Sequence, residues 1–228
     1  MSLLDVGCGP GTITADLASL VAPGVVVGVD VADDVVSAAA RDHVAPNLSF
    51  RTADVTTLGS GDGSFDVVHA HQVLQHLQNP VGAVRAMARV ARPGGIVAAR
   101  DSDYGAFGWW PADPRLDDWN RIYHEITDRT GTTADAGRRL PHWFRSAGLT
   151  EITVTSSVWV FHAPEDRAWW GGTWADRVQR SAYARHATGF GLADEAQLAT
   201  IADAFREWAD RDDGCFVVPH VEVLARVP

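Results

Sequence analysis

Strand-like and helix-like patterns of apolar residues alternate through the first hundred positions of the chain. Apolar side chains that recur every three or four residues predict helices between the strands. This alternation predicts an α/β fold built on an open, mostly parallel sheet. The strand-like runs are Leu3–Val6, Val25–Val29, Leu48–Ala53 and Phe65–His71.

Two of the predicted helices are defined by particular residues. Ile13, Leu17 and Leu20 fall on one face of the helix that follows the first strand. Asn79 and Pro80 mark the start of a later helix, because Asn caps free backbone N–H groups and Pro fits the first helical position. This second helix is expected to lead back to a fifth strand.

The second half of the chain continues the pattern with longer elements. Asp135–Ala147 has the apolar spacing of an amphipathic helix, and Ile152–Phe161 has the alternation of a strand. About 50 mostly helical residues, Pro164–Asp213, then separate this strand from another at Cys215–Leu224. We expect this insert to extend the roof of a pocket or to form a contact between two copies of the chain.

Three glycines, Gly7, Gly9 and Gly11, lie between the first predicted strand and its helix. Glycine permits positive φ angles and lets a ligand approach the backbone at the N-terminus of a helix. The turn therefore predicts a cofactor site at the carboxyl end of the first strand. Cys8 lies inside this turn, where we expect a small filling side chain rather than a nucleophile.

The residues around the glycines help to choose between cofactors. Dinucleotide-binding turns have the spacing G-x-G-x-x-G, whereas this turn has G-x-G-x-G. Asp5 lies two positions before Gly7, and a carboxylate there disfavours a pyrophosphate but favours an ammonium or sulfonium group. Asp30, about 20 residues beyond the turn, can accept hydrogen bonds from both hydroxyls of a ribose. NAD enzymes also use such an acid, so Asp30 favours a nucleoside cofactor without choosing between the two.

The segment Asp5–Gly11 resembles motif I of the class I S-adenosylmethionine (SAM)-dependent methyltransferases. Phe65–His71 is similar to the fourth strand of that family, and Arg92–Val97 is similar to the turn that leads into its fifth strand. The resemblance is closest to small-molecule methyltransferases of the ubiquinone and menaquinone biosynthesis type. It is specific through residue 100 and looser afterwards.

This resemblance implies roles for particular residues in binding SAM and its product S-adenosylhomocysteine. Asp30 would bind the ribose, Asp54 would face the adenine amino group, and the exit of the fourth strand at His71 would lie against the methionyl part. The predicted cofactor site comprises Asp5, Gly7, Cys8, Gly9, Gly11, Asp30, Val31, Ala53, Asp54, Val55, His71 and Gln72.

The resemblance also implies the fold and the domain organisation. We expect a Rossmann-like, doubly wound sheet of seven strands with helices on both faces and an antiparallel last strand that pairs with the sixth. Residues 1–228 would form a single domain, with a SAM-binding core at 1–100 and helical, aromatic-rich substrate or lid elements at 101–134 and 163–213. All nine tryptophans lie at or after Trp109, which favours this division.

Composition argues against several other functions. The net charge of −10 and the lack of a basic cluster disfavour a nucleic-acid ligand. All 19 Lys and Arg positions are arginine, which excludes chemistry that needs a lysine, such as Schiff-base formation or a Walker-type phosphate loop. Only two cysteines occur and no apolar run is long enough to span a membrane, so we expect a cytoplasmic protein.

The catalytic residue is left unassigned, because methyl transfer needs a general base only when the acceptor must lose a proton. His69 and His71 share one face of the predicted strand, but His76 lies across a turn with no fixed geometry, so we predict no metal site. The candidates for a base follow the fourth and fifth strands: His71, Gln72, His76, Asp101 and Asp103.

We predict that the chain transfers a methyl group from SAM to a small-molecule acceptor by in-line displacement. Two alternatives stay open, a non-catalytic SAM-binding protein and an NAD(P)-dependent oxidoreductase. Members of the family usually carry a segment before motif I that closes over SAM. For a chain without that segment we expect weak SAM affinity or self-association, as in a homodimer. The aromatic second half favours a planar or lipophilic acceptor.

Overall fold

The computed structural model describes residues 1–58 and 64–228. Within these ranges no helix is long and apolar enough to cross a lipid bilayer. The strands are β1 Ser2–Val6, β2 Val25–Asp30, β3 Leu48–Thr52, β4 Phe65–His71, β5 Ala91–Ser102, β6 Gly108–Trp110, β7 Glu151–Phe161 and β8 Cys215–Arg226. The α-helices are α1 Thr12–Val21, α2 Asp33–Asp42, α3 Pro80–Val90, α4 Pro114–Thr130, α5 Ala136–Ser146, α6 Pro164–Arg180, α7 Ala182–Gly189 and α8 Glu195–Ala209.

These elements confirm the predicted order of strands and helices, with two differences. The strand β6 was not predicted, because three residues are too few to show a periodic pattern. The segment Arg92–Gly95, expected to be a turn, is part of β5, where the pairing with β4 becomes irregular between Phe65 and Val67. A bulge can absorb extra residues within a strand, which sequence patterns do not reveal.

The chain forms two units, each with its own apolar core. Unit 1 comprises Met1–Asp101, Ala136–Ser156 and Val221–Pro228, and unit 2 comprises Ser102–Asp135 and Ser157–His220. The sequence predicts a single domain divided into a core and helical elements, and that organisation stays a prediction.

The sheet of unit 1 has the strand order β3-β2-β1-β4-β5-β8, and β7 pairs with β8. The first five strands pair in parallel, so that Leu4 of β1 lies opposite both Val27 of β2 and Val68 of β4. The last strand runs in the opposite direction, since Val227 exchanges backbone hydrogen bonds with Gly94 and Gly95 of β5 at 2.9 Å. The doubly wound, mostly parallel sheet with an antiparallel last strand is therefore confirmed.

The two faces of this sheet are covered by different helices. On one face, Val68 and Val97 pack with Met87 of α3 and with Leu140 and other apolar residues of α5. On the other face, Ala18 of α1 packs against the sheet. Helices therefore lie on both faces, as the resemblance implied.

Helix α1 packs mainly through small residues, and of the three apolar residues predicted to share its inner face only Leu17 contacts the core among the described residues. Thr14 and Ala18 are buried, whereas the side chains of Ile13 and Leu20 are 38% and 81% exposed. The helix approaches Gly28 of β2 so closely that a Cβ there would lie 3.0 Å from Cγ2 of Thr14. Only small side chains fit this approach, so Leu17 packs partly buried beside it while Ile13 and Leu20 are exposed.

Unit 2 is mostly helical and has an aromatic core. Its centre is Trp119 of α4, whose ring lies 4.6 Å from that of Trp174 and 5.2 Å from that of Phe205, centroid to centroid. These partners come from α6 and α8, two of the three helices that form the predicted insert. In this unit the short strand β6 pairs with Cys215–Val217 at the start of β8.

The cap of α3 provides a direct test of the fold of unit 1. The side chain of Asn79 accepts a hydrogen bond from the backbone N–H of Gly82 at 2.9 Å. Asn79→Ala is expected to lower the free energy of unfolding by about 1 kcal/mol, measured by urea denaturation. Asn79→Asp keeps the acceptor and is expected to have a much smaller effect. Equal destabilisation by both substitutions would show that the cap does not stabilise the helix.

Candidate cofactor site

The glycine-rich turn between β1 and α1 has backbone conformations that other residues rarely adopt. Gly7, Gly9 and Gly11 have φ angles of 67°, 51° and 83°. At Gly7 a side chain is disfavoured by the positive φ angle and also by space, because a Cβ there would overlap Cγ2 of Val73. At Gly11, a Cβ would lie 2.8 Å from the ring of Phe50. The turn therefore requires glycine for its conformation and for close packing.

A cavity of about 320 Å³ opens where β1, β2, β3 and β4 end. Its size is typical of sites for cofactors and other small molecules. Among the described residues that line it are seven of those predicted for the cofactor site: Gly7, Asp30, Val31, Ala53, Asp54, Val55 and Gln72.

Sequence reasoning missed three apolar residues of the lining, Val6, Val73 and Leu77. Val73 and Leu77 flank a 3₁₀ turn, Leu74–His76, that follows β4. The path of such a short turn depends on tertiary contacts rather than on local periodicity. His76, which also lines the cavity, was predicted only as a candidate base.

Asp30 links the cavity to the glycine turn. One carboxylate oxygen accepts the backbone N–H of Gly9 at 3.0 Å, and the other accepts that of Ala32 at 3.1 Å. An ionised carboxylate has about four acceptor positions, so each oxygen can accept a further hydrogen bond from a ligand. Asp30 thus holds the turn in place and offers two acceptors to the cavity.

Asp54 also lines the cavity, at its exposed side. Its Oδ1 accepts both the backbone N–H and the hydroxyl of Thr56, each at 2.8 Å. These hydrogen bonds lower the pKa of the carboxyl group, so it is ionised at neutral pH. On either side of it, Ala53 and Val55 contribute apolar surface.

Asp5 does not belong to the cavity lining. Its carboxylate is 2% exposed and accepts the hydroxyl hydrogen of Thr14 at 2.6 Å, while its other oxygen lies 2.8 Å from Nδ1 of His69. Both oxygens are thus engaged inside unit 1, by α1 and by β4. Asp5, which was predicted to lie beside the cofactor, therefore links β1 to α1 and β4.

Cys8, Gly9 and Gly11 shape the turn without lining the cavity. Cys8 is buried, and burial together with the nearby carboxylates of Asp5 and Asp30 raises the pKa of its thiol to about 12. The thiol is therefore protonated at neutral pH and is a poor nucleophile. This agrees with its expected role as a small filling side chain.

His71 lies outside the lining and is held within the sheet. Arg100 of β5 donates a hydrogen bond from Nη1 to Nε2 of His71 at 3.1 Å and pairs with Glu222 of β8 at 3.2 Å. Burial and the charge of Arg100 lower the pKa of His71 to about 4, so the imidazole is neutral at neutral pH. Its neighbour Gln72 lines the cavity and has a φ angle of 53°.

The remaining candidate bases occupy different environments. Asp101 is buried at the end of β5, and Asp103 belongs to unit 2. Neither carboxyl is part of the cavity lining, whereas Gln72 and His76 are. In residues 1–58 and 64–228, no group of three or more His, Cys, Asp or Glu side chains could hold a metal ion.

The packing of Gly7 gives a testable difference between two glycines of the same turn. Gly7→Ala adds a side chain at positive φ and against Val73, whereas Gly9→Ala adds one at positive φ with no atom within 4 Å. The conformational cost, roughly 1–2 kcal/mol, is common to both. The overlap should add about 1–3 kcal/mol in Gly7→Ala alone, measured by urea denaturation. Equal destabilisation of the two variants would contradict the close packing of Gly7 on Val73.

Comparisons with known proteins agree with this geometry. A family model described as a methyltransferase domain matches residues 4–99. An uncharacterised methyltransferase of Schizosaccharomyces pombe is 30% identical over 233 residues, which cover 97% of this chain and 83% of that protein.

Two further similarities cover smaller parts of the other proteins. A ubiquinone biosynthesis O-methyltransferase of Albidiferax ferrireducens is 38% identical over 42% of this chain and 38% of its own length. The structure of phosphoethanolamine N-methyltransferase 2 of Haemonchus contortus, in complex with S-adenosyl-L-methionine, has a TM-score of 0.59 and 15% identity, over 100% of this chain and 49% of that one. The chain thus spans less than half of either protein. With the extended similarity to the fission-yeast protein and the match of the family model, the chain belongs to the methyltransferase-domain family.

Proposed function

We propose that the chain binds SAM in the cavity of unit 1 and transfers its methyl group to a small-molecule acceptor. The observation that carries this proposal is the joint lining of the cavity by the glycine turn, an acid at the end of β2 and apolar residues after β3. Membership of the methyltransferase family supports the same reading. The Haemonchus contortus enzyme of similar fold is described in complex with SAM.

Asp30 is the residue that we assign to the ribose. Its two oxygens each accept one backbone N–H and retain acceptor positions. Two vicinal hydroxyls can therefore donate to the same carboxylate. The N–H of Gly9 fixes the orientation of that carboxylate before the ligand arrives, which reduces the entropy lost on binding.

We assign the apolar part of the lining to the adenine ring. Val31, Ala53, Val55 and Leu77 provide the flat apolar contact that an aromatic base requires. Asp54 lies among them and, being ionised, can accept a hydrogen bond from the exocyclic amino group.

The charge of the lining favours SAM over a dinucleotide. Two carboxylates, Asp30 and Asp54, line the cavity, and none of the described lining residues is Arg or Lys. A pyrophosphate would be repelled by these carboxylates, whereas a sulfonium cation would be attracted. This observation disfavours the alternative of an NAD(P)-dependent oxidoreductase.

The contribution of the protein to methyl transfer is to align the reactants and to exclude water. SAM, when bound, would supply a methyl group on a sulfonium sulfur, and the neutral thioether S-adenosylhomocysteine would be the leaving group. The glycine turn and Asp30 hold the nucleoside, and Val73 and Leu77 close one side of the cavity. Gln72 and His76 supply polar groups on that side.

The acceptor that we propose is a small, planar or lipophilic molecule. One relative of the N-terminal part of the chain is a ubiquinone biosynthesis O-methyltransferase, an enzyme named for a quinone product. The net charge of −10 agrees with an uncharged organic acceptor rather than with a polyanion.

Replacement of Asp30 tests the proposed cofactor. Asp30→Ala is expected to reduce the affinity for S-adenosylhomocysteine at least about tenfold, because hydrogen bonds to a charged group are lost. The measurement is isothermal titration with SAM, S-adenosylhomocysteine and NAD in parallel, and NAD is not expected to bind. Asp34→Ala, an exposed acid of α2 outside the lining, is the matched control and should leave the affinity unchanged.

The titration separates the three readings of the chain. Wild-type binding of NAD but not of S-adenosylhomocysteine would establish the oxidoreductase alternative. Binding of S-adenosylhomocysteine that is equally strong in Asp30→Ala would contradict the assignment of the ribose. Transfer of a radioactive methyl group from SAM to an acceptor from a panel of phenols and hydroquinones would exclude the non-catalytic alternative.

A further inference from the structure

Asp101 is a buried carboxyl group that the proposed reaction does not use. Its side chain is 0% exposed, and within the described residues its Oδ2 has no hydrogen-bond partner. Its Oδ1 accepts the backbone N–H of Gln75 at 3.3 Å, and the backbone N–H of Leu74 is a second donor to the same group. Both N–H groups belong to the 3₁₀ turn after β4, so the carboxylate of Asp101 holds that turn.

This turn lies in the middle of a segment that forms one side of the cavity. We call Gln72–Leu77 the wall segment, because Gln72, Val73, His76 and Leu77 all line the cavity. Its first residue is held by the neighbour of Asp101, since the N–H of Gln72 donates to the backbone oxygen of Arg100 at 2.7 Å. Two consecutive residues of β5 therefore anchor the wall segment.

The wall segment needs such anchors for two reasons. Gln72 has a φ angle of 53°, a conformation that residues other than glycine keep only when their surroundings enforce it. Val73 fills the space that a side chain at Gly7 would occupy, so the wall segment also supports the glycine turn. A shift of the wall segment would therefore displace two parts of the cavity lining together.

We propose that Asp101 is a positioning residue that fixes the wall segment against the glycine turn and thereby sets the affinity of the cavity for its cofactor. The inference rests on the proposed function, because it concerns the same cavity. A carboxylate that accepts backbone N–H groups holds them more strongly when it is ionised than when it is protonated.

The charge state of Asp101 changes close to neutral pH. Burial raises the pKa of its carboxyl group to about 7, against the lowering effects of the Gln75 and Leu74 N–H groups and of the Arg100 charge. Arg100 itself is engaged by Glu222 and His71, and the side chain of His76 lies 3.2 Å from that of Gln75, whose backbone N–H donates to Asp101. The core residues that α5 packs in this region, Ala136, Leu140, Trp143 and Phe144, carry no charge.

Hydrogen exchange tests the anchoring role without a cofactor. In Asp101→Ala the amides of Leu74 and Gln75 are expected to exchange about tenfold faster than in the wild type, because their acceptor is lost. Glu222→Gln is the matched control: it removes a carboxylate beside Arg100 but no acceptor of the wall segment. Unchanged exchange of both amides in Asp101→Ala would overturn the inference, and so would equal acceleration in Glu222→Gln.

The pH dependence of binding tests the effect on the cavity. With a pKa of about 7, the carboxyl group is about one tenth ionised at pH 6 and about nine tenths ionised at pH 8. The affinity of the wild type for S-adenosylhomocysteine should therefore rise by up to about ninefold from pH 6 to pH 8. Asp101→Asn has no titrating group at this position, so its affinity should not show this rise. The same rise in Asp101→Asn would overturn the inference.

Thermal unfolding separates this role from a merely structural one. The pKa of the Asp101 carboxyl group is higher in the folded protein than in the unfolded chain. Protonated Asp101 therefore stabilises the fold at low pH, and this contribution is lost as the pH rises towards 7. The melting temperature of the wild type relative to Asp101→Asn should therefore fall from pH 5 to pH 8, while its affinity rises. Loss of stability and of affinity together on raising the pH would contradict the proposal.

The tests also distinguish this inference from the proposed function. If the wild type binds no S-adenosylhomocysteine at either pH, the proposed function fails and the claim about affinity fails with it. If the wild type binds but Asp101→Asn behaves identically at both pH values, only the inference fails.

Discussion

The close contact between Gly7 and Val73 is the constraint on which the cavity depends. It places the end of β1 directly against the wall segment that follows β4, and it leaves no room for a side chain at Gly7. Both segments need unusual backbone conformations, positive φ at Gly7 and at Gln72, and each is supported by the other. The cavity is therefore formed by two turns with positive φ angles, held together at the carboxyl ends of neighbouring parallel strands.

The carboxylates of Asp5 and Asp30 hold the ends of these strands through contacts with Thr14, His69 and Gly9. Asp5 joins β1 to α1 and β4 through Thr14 and His69, and Asp30 joins β2 to the glycine turn through Gly9. Asp5 is thus internal, whereas Asp30 lines the cavity. The sequence alone did not show which of Asp5 and Asp30 is buried and which lines the cavity. Both are acids at the ends of strands, and they differ in the residues that surround them in the fold.

Most of the fold could be predicted from the sequence because its signals are local. The continuous apolar run of Val25–Val29 and the cap at Asn79 depend on adjacent residues, and both predictions were confirmed. The buried side of α1 was not predictable, since the choice of Thr14 over Ile13 depends on the approach to Gly28 of a different strand. Val73 and Leu77 were missed for the same reason: a 3₁₀ turn anchored by Asp101 has no periodic signature.

We propose that the cavity between the glycine turn and the wall segment holds the nucleoside of SAM. The most direct measurement is a crystal structure of the chain with S-adenosylhomocysteine. We expect both ribose hydroxyls to lie within hydrogen-bond distance of Asp30 and the adenine ring to lie between Val55 and Leu77. A ligand bound with its ribose away from Asp30, for example beside His69 and His71, would contradict this proposal.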